Sequence, residues 1–129
     1  MKRTGGFTLI ELLVVMTIIV LLASVGMAVY GTSVTRAKEA ALVENLFQMR
    51  KAIDEYYADK QKYPPSLDAL VTEKYLREIK QDPFTQSVET WQTIMSDPDP
   101  SNPSAETGIW NVKSGAEGTG SDGRPYSEW

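Results

Sequence analysis

Cysteine and histidine are both missing from this chain of 129 residues. Without cysteine, the disulfides that usually staple small exported domains cannot form. Without histidine, the commonest general base and metal ligand is gone, and Ser33, Ser66 and Ser87 have no imidazole to pair with. Nothing else in the sequence reads as catalytic. Positive charge is also scarce: the formal net charge is −4 and would fall to −6 without Lys2 and Arg3. That balance argues against nucleic acid as a bound partner. Finally, no charge at all occurs between Glu11 and Arg36.

That gap is filled by an apolar run from Leu12 to Val29. A helix over residues 12–35, rising about 1.5 Å per residue, spans the roughly 30 Å of a bilayer core. Glu11 stands at its head. An ionised side chain placed deep in a bilayer costs at least about 2.5 kcal/mol, so it calls for a functional reason and a partner. A secretory signal peptide fits poorly, because its apolar region covers about 7–15 residues and its cleavage site follows that region. A plain signal anchor accounts for Lys2, Arg3 and the span through the positive-inside rule, but leaves Gly6-Phe7 and Glu11 unexplained.

Beyond Arg36 the pattern changes. Leu42, Leu46, Met49, Ile53 and Tyr56 recur at steps of four, three, four and three, which is one apolar stripe on a helix. The other faces are expected to carry Lys38, Glu39, Glu44, Arg50, Lys51, Asp54, Glu55 and Asp59. The spacing predicts a single helix over residues 7–60, ended ahead of Pro64-Pro65 because proline disfavours helix in the residue before it. Gly26 and Gly31 lie inside it and weaken it by up to about 1 kcal/mol each. They read either as close-packing points or as places where the helix loosens. The stripe covers only about two heptads, too few to argue for a coiled coil, so it is expected to pack on the remainder of the chain.

That remainder is short, and a core of its size is marginal without support. Ser66 is placed to N-cap a short helix over residues 66–71, with Asp68 in the first turn. Residues 88–95 and 109–113 read as strands. Alternation would put Trp91, Thr93 and Met95 on one face of the first, and Trp110 and Val112 on one face of the second. A proline-rich polar loop separates them. The glycine-rich end carries Tyr126 and Trp129, so it is expected to be looped yet docked. The fold class expected is therefore α+β: a long helix, half membrane and half amphipathic, packed on a short helix and a small antiparallel sheet.

Gly6-Phe7-Thr8-Leu9-Ile10-Glu11, behind a short basic leader and ahead of the span, resembles the class III signal of type IV pilins and type II secretion pseudopilins. Within that family the chain is most similar to the major pseudopilin. Residues 52–59 followed by Tyr63-Pro64 resemble the family's helix end and its exit. Ala69-Leu70-Val71, Tyr75-Leu76 and Asp82-Pro83-Phe84 resemble its next segments, with phenylalanine where tryptophan is usual. The likeness is very specific over residues 6–30, moderate over 52–84 and weak beyond. The lack of cysteine leans towards a pseudopilin, since many type IV pilins close a C-terminal loop with a disulfide.

The resemblance implies a leader at residues 1–6, an assembly helix at 7–30, its amphipathic continuation at 31–60 and a periplasmic domain at 61–129. It implies cleavage between Gly6 and Phe7 by a prepilin peptidase, N-methylation of Phe7, and a single-pass inner-membrane subunit. This subunit would polymerise with copies of itself and meet minor pseudopilins and an inner-membrane assembly platform. Its function would be structural: the major subunit of a type II secretion pseudopilus that drives protein export, or alternatively a type IV pilus subunit for adhesion, motility or DNA uptake, or a minor pseudopilin. Glu11 lies one helical turn from the new Phe7 amine and gains from the helix dipole; the family implies that a neighbour's amine takes that place in the filament. A plainer reading leaves Glu11 as a helix-start residue at the headgroups. The resemblance also implies calcium, held by Glu117 and Asp122 with main-chain oxygens near Ser114, because oxygen ligands in a flexible loop suit a hard cation. Here Glu117 replaces an aspartate, and Asp122-Gly123 reads equally as an ordinary turn.

Overall fold

The structure is a computed structural model that describes residues 5–129. Lys2, Arg3 and most of the expected leader lie outside the described residues. The elements are a helix α1 (Leu9–Lys60), a short helix α2 (Leu67–Thr72), strands β1 (Gln92–Met95) and β2 (Ile109–Lys113), and a 3-10 turn over Tyr126–Glu128. The architecture is α+β and pilin-like. Compact packing divides the chain into two units, one ending at Arg36 and the other Ala37–Trp129.

Among the described residues the first unit contributes a short non-helical stretch, residues 5–8, and the first part of α1. From Leu9 to Val29 the leucines, isoleucines, valines and methionines of α1 are exposed on every side, and the helix is long and apolar enough to cross a membrane. Several hydroxyls within it are satisfied by its own backbone. The hydroxyls of Thr17, Ser24 and Thr35 donate to the carbonyls four residues back, Leu13, Val20 and Gly31, at 2.8, 2.7 and 3.2 Å. Such back-bonding hides donors that lipid could not satisfy. The helix runs unbroken through Gly26 and Gly31, and a Cβ at either position would meet nothing within 4 Å. Neither glycine loosens the helix in the single chain.

In the second unit the expected stripe forms the core. Leu42, Leu46, Met49, Ile53 and Tyr56 are buried, joined by Ala52. The upper part of the stripe packs with Trp91, Val112, Ala116 and Tyr126, and the lower part with Leu70 and Ile109. Two residues assigned to the outer faces belong inside. Glu39 is only 7% exposed, because it lies three residues before Leu42 and so extends the same stripe. Arg50 is half-buried and reaches across to β2.

The helix stops at Lys60, where Gln61 turns left-handed (φ 56°) and its N–H donates to the Tyr57 carbonyl at 2.8 Å, a common helix-ending device. Ser66 caps α2 as expected, its Oγ accepting from the Ala69 N–H at 3.2 Å.

The sheet departs from expectation in two ways. β1 covers only Gln92–Met95, because its partner ends at Lys113, which pairs with Gln92; ahead of it the chain turns over residues 82–87, where the Asp82 N–H donates to the Ser87 carbonyl and the Gln86 N–H to the Asp82 carbonyl. Trp91 is therefore buried ahead of the strand, while Thr93 and Met95 are exposed. In β2, Ile94 pairs with Asn111 but Met95 pairs with Ile109, leaving Trp110 as an extra residue. This bulge breaks the two-residue alternation. Ile109 and Val112 both point inward, and Trp110 is 47% exposed instead of sharing a face with Val112.

Candidate assembly site and C-terminal loop

At the head of the helix, Thr8 and Glu11 bond reciprocally. The Glu11 N–H donates to Thr8 Oγ1 at 3.2 Å, and the Thr8 N–H donates to Glu11 Oε2 at 3.1 Å. This is a capping box, which satisfies two of the orphan donors at a helix start. Thr8-x-x-Glu11 is its signature and could have been read directly from the sequence. Gly6 and Phe7 precede this cap in exposed, non-helical chain. In this form the nitrogen of Phe7 is a peptide amide, and the carboxylate of Glu11 is held by Thr8.

The C-terminal loop starts at Ser114, which is fully buried. Its hydroxyl donates to Asp82 Oδ2 at 2.5 Å and accepts from the Ala116 N–H at 3.1 Å. Asp82 is itself fully buried, and its Oδ1 accepts from the Phe84 N–H at 2.9 Å. Gly115 follows because no other residue fits: a Cβ there would run into the Thr90 carbonyl oxygen.

Further along, Glu39 gathers the loop from the helix. Its Oε1 accepts from the Ser121 N–H and the Tyr126 hydroxyl, both at 2.9 Å, and its Oε2 accepts from Ser121 Oγ at 2.6 Å. The Ser121 hydroxyl bond is the largest cause holding Glu39 below its ordinary acidity constant, against a smaller opposing effect of burial. Burial, then the bond to Glu39, pushes the Tyr126 phenol up. Tyr126 stacks on Phe84 at 4.1 Å and meets Trp129 edge-on at 5.1 Å. Arg50 completes the closure. Its Nε donates to Asn111 Oδ1 at 2.9 Å, and one terminal nitrogen donates to the main-chain oxygens of Val112 and Trp129 at 2.9 and 2.7 Å. The end of the chain is thus docked, as its aromatics suggested.

The residues considered for calcium are placed differently. Asp122 accepts from the Arg124 N–H at 3.0 Å and from Arg124 Nε at 2.8 Å. Glu117 is exposed, and Ser114 Oγ is spent on Asp82. Among the described residues no three carboxylates come together to hold a metal. A calcium ion needs six to eight oxygens, and this donor set, with a guanidinium already on Asp122, does not fit it. Glu39 and Arg50, which sequence reasoning placed on the outside, are the residues that fasten the loop.

A long apolar helix headed by a carboxylate, joined to a small α+β domain, defines a pilin-like subunit. The model for the prokaryotic N-terminal methylation motif matches residues 1–27. Type II secretion system core protein G of Klebsiella pneumoniae is 31% identical over 100 residues, covering 65% of this chain and 71% of that protein. The protein of the same name from Aeromonas hydrophila is 29% identical over 99 residues, covering 64% and 69%. Fimbrial protein EcpC of Eikenella corrodens is 33% identical over 79 residues, covering 57% and 52%. No solved structure matches. The chain belongs to the type IV pilin-like family that includes core protein G of type II secretion systems. Its apolar N-terminal helix fits anchoring in the inner membrane.

Proposed function

We propose that this chain is the major subunit of a type II secretion pseudopilus, a non-enzymatic building block that drives protein export. Cleavage between Gly6 and Phe7 by a prepilin peptidase, with N-methylation of Phe7, releases a subunit whose small domain lies in the periplasm. Copies polymerise helically, with their apolar half-helices bundled inside and Glu11 paired to a neighbour's terminal amine. Minor pseudopilins and an inner-membrane platform are the other partners. The observation that carries this reading is the exposed, charge-free helix surface that begins directly after Glu11. In water that surface has no place, while bilayer and filament interior both accept it.

A second reading, a type IV pilus subunit, is favoured by the 33% identity to a fimbrial protein. Mass spectrometry of the membrane-extracted protein tests the processing step: an N-terminal methylated Phe7 is expected, and an N-terminus at Met1 or beyond Val29 excludes it. Deletion of the gene separates the two filaments. Loss of secretion supports the pseudopilus, whereas loss of twitching with secretion intact refutes it.

A further inference from the structure

The family resemblance implies calcium in the C-terminal loop, yet of the two carboxylates it names, Asp122 already has a partner from this chain and Glu117 is exposed. Both oxygens of Asp122 are taken by Arg124. Both oxygens of Glu39 are taken by Ser121 and Tyr126. Ser114 is buried against Asp82. A cation entering here would have to break charge-assisted bonds, which are about twice as strong as neutral ones. The physical task of a loop cation is to gather negative groups and fix the strand end to the helix. In this chain those duties are divided. Arg124 neutralises Asp122 beside the turn at Gly123. Glu39 pins Ser121 and Tyr126 to the helix, and Arg50 ties the main chain of Val112 and Trp129 to the same helix.

We propose that the loop is fastened by protein groups alone, with the Glu39 carboxylate and the Arg50 guanidinium holding it to the helix as a cation would in a calcium-dependent loop. The domain is then indifferent to calcium, in a pseudopilus or in a type IV pilus alike.

Two measurements on the full-length protein in detergent micelles test this. Thermal unfolding followed by near-ultraviolet circular dichroism should give superimposable curves in millimolar calcium chloride and in EDTA. A midpoint raised by calcium and lowered by EDTA overturns the proposal. Hydrogen exchange read by mass spectrometry should then show faster exchange over residues 116–129 in Glu39→Gln, with residues 109–113 still protected. Unchanged exchange over 116–129 overturns it. If Glu39→Gln does not fold, Ser121→Ala decides: it removes one of the three bonds, and exchange should rise over the same segment by a smaller factor. No rise in Ser121→Ala overturns the proposal equally.

Discussion

Gly115→Ala is the sharpest single perturbation of this domain. Gly115 follows β2 and faces the backbone ahead of β1. A Cβ there would lie 3.0 Å from the Thr90 carbonyl carbon, 3.3 Å from Gln92 Nε2, and closer still to the Thr90 oxygen, inside the 3.0 Å that real Cβ atoms respect. The obstacle is main chain, so no rotamer change relieves it. Thr90 must move, and with it Trp91, which is buried in the core. Overpacking of this kind costs about 1–3 kcal/mol, and a backbone clash belongs at the upper end. For a domain of 60–100 residues each kcal/mol lowers Tm by about 4–8 °C, so a fall of roughly 12–24 °C is expected. Gly123→Ala is the matched control. Its φ of 83° is left-handed, but a Cβ there meets nothing within 4 Å, so only the conformational cost of about 1–2 kcal/mol applies. Trp91, Trp110 and Trp129 all lie in the unit Ala37–Trp129, so the tryptophan bands in near-ultraviolet circular dichroism of the full chain in detergent follow this unit alone. Equal midpoints for Gly115→Ala and wild type, or a larger loss in Gly123→Ala, would refute the reasoning.

Four further outcomes follow from the two sites. Since Glu39 is held below its ordinary 4.5, its contribution is complete above that value and is lost as pH falls through the lower folded one; Glu39→Gln should flatten this acid limb of Tm against pH. Tyr126 is raised above 10.0, first by burial, so its contribution is complete below that value and is lost as pH rises through the higher folded one; Tyr126→Phe should remove the alkaline limb. Trp129→Ala should cost about 2 kcal/mol in thermal melts, roughly half of a fully buried ring, and more than Asp122→Ala, whose exposed pair with Arg124 contributes little. Glu11→Gln should insert in the membrane normally yet fail to build filaments seen by electron microscopy; normal filaments would remove the charge from the assembly mechanism.

The long helix, the cap at Ser66, the buried stripe and the docked aromatic end were legible because each rests on local periodicity or a local motif. Tertiary context decided the rest. Glu39 was misplaced because a carboxylate normally marks a solvent face, although its spacing from Leu42 continues the stripe. Only the loop, arriving from 82 residues further on, makes it an interior residue. Arg50 was missed for the same reason. Val88-Glu89-Thr90 has strand-like composition, yet β1 begins only at Gln92, because its length is set by the partner, which gives out at Lys113. The bulge at Trp110 has no signature in the residues themselves, and so the face of every residue on one side of it was unreadable.

On the proposed role in assembly, Glu11 carries two demands that differ in size, and the difference explains why one residue can serve both. A helix-capping side chain contributes about 0.5–2 kcal/mol, and the reciprocal bonds to Thr8 are of that kind. A unit charge about 4 Å away is worth roughly 4 kcal/mol at an effective dielectric constant near 20. A neighbour's amine can therefore draw the carboxylate away from Thr8 once the copies meet, and before that the cap keeps the side chain satisfied. Glutamine separates the two demands, because it can fill the same capping box as glutamate while carrying no charge. If the cap alone mattered, Glu11→Gln would be silent. Its effect on assembly measures the ion pair, stripped of the contribution to helix initiation that Glu11→Ala would remove as well.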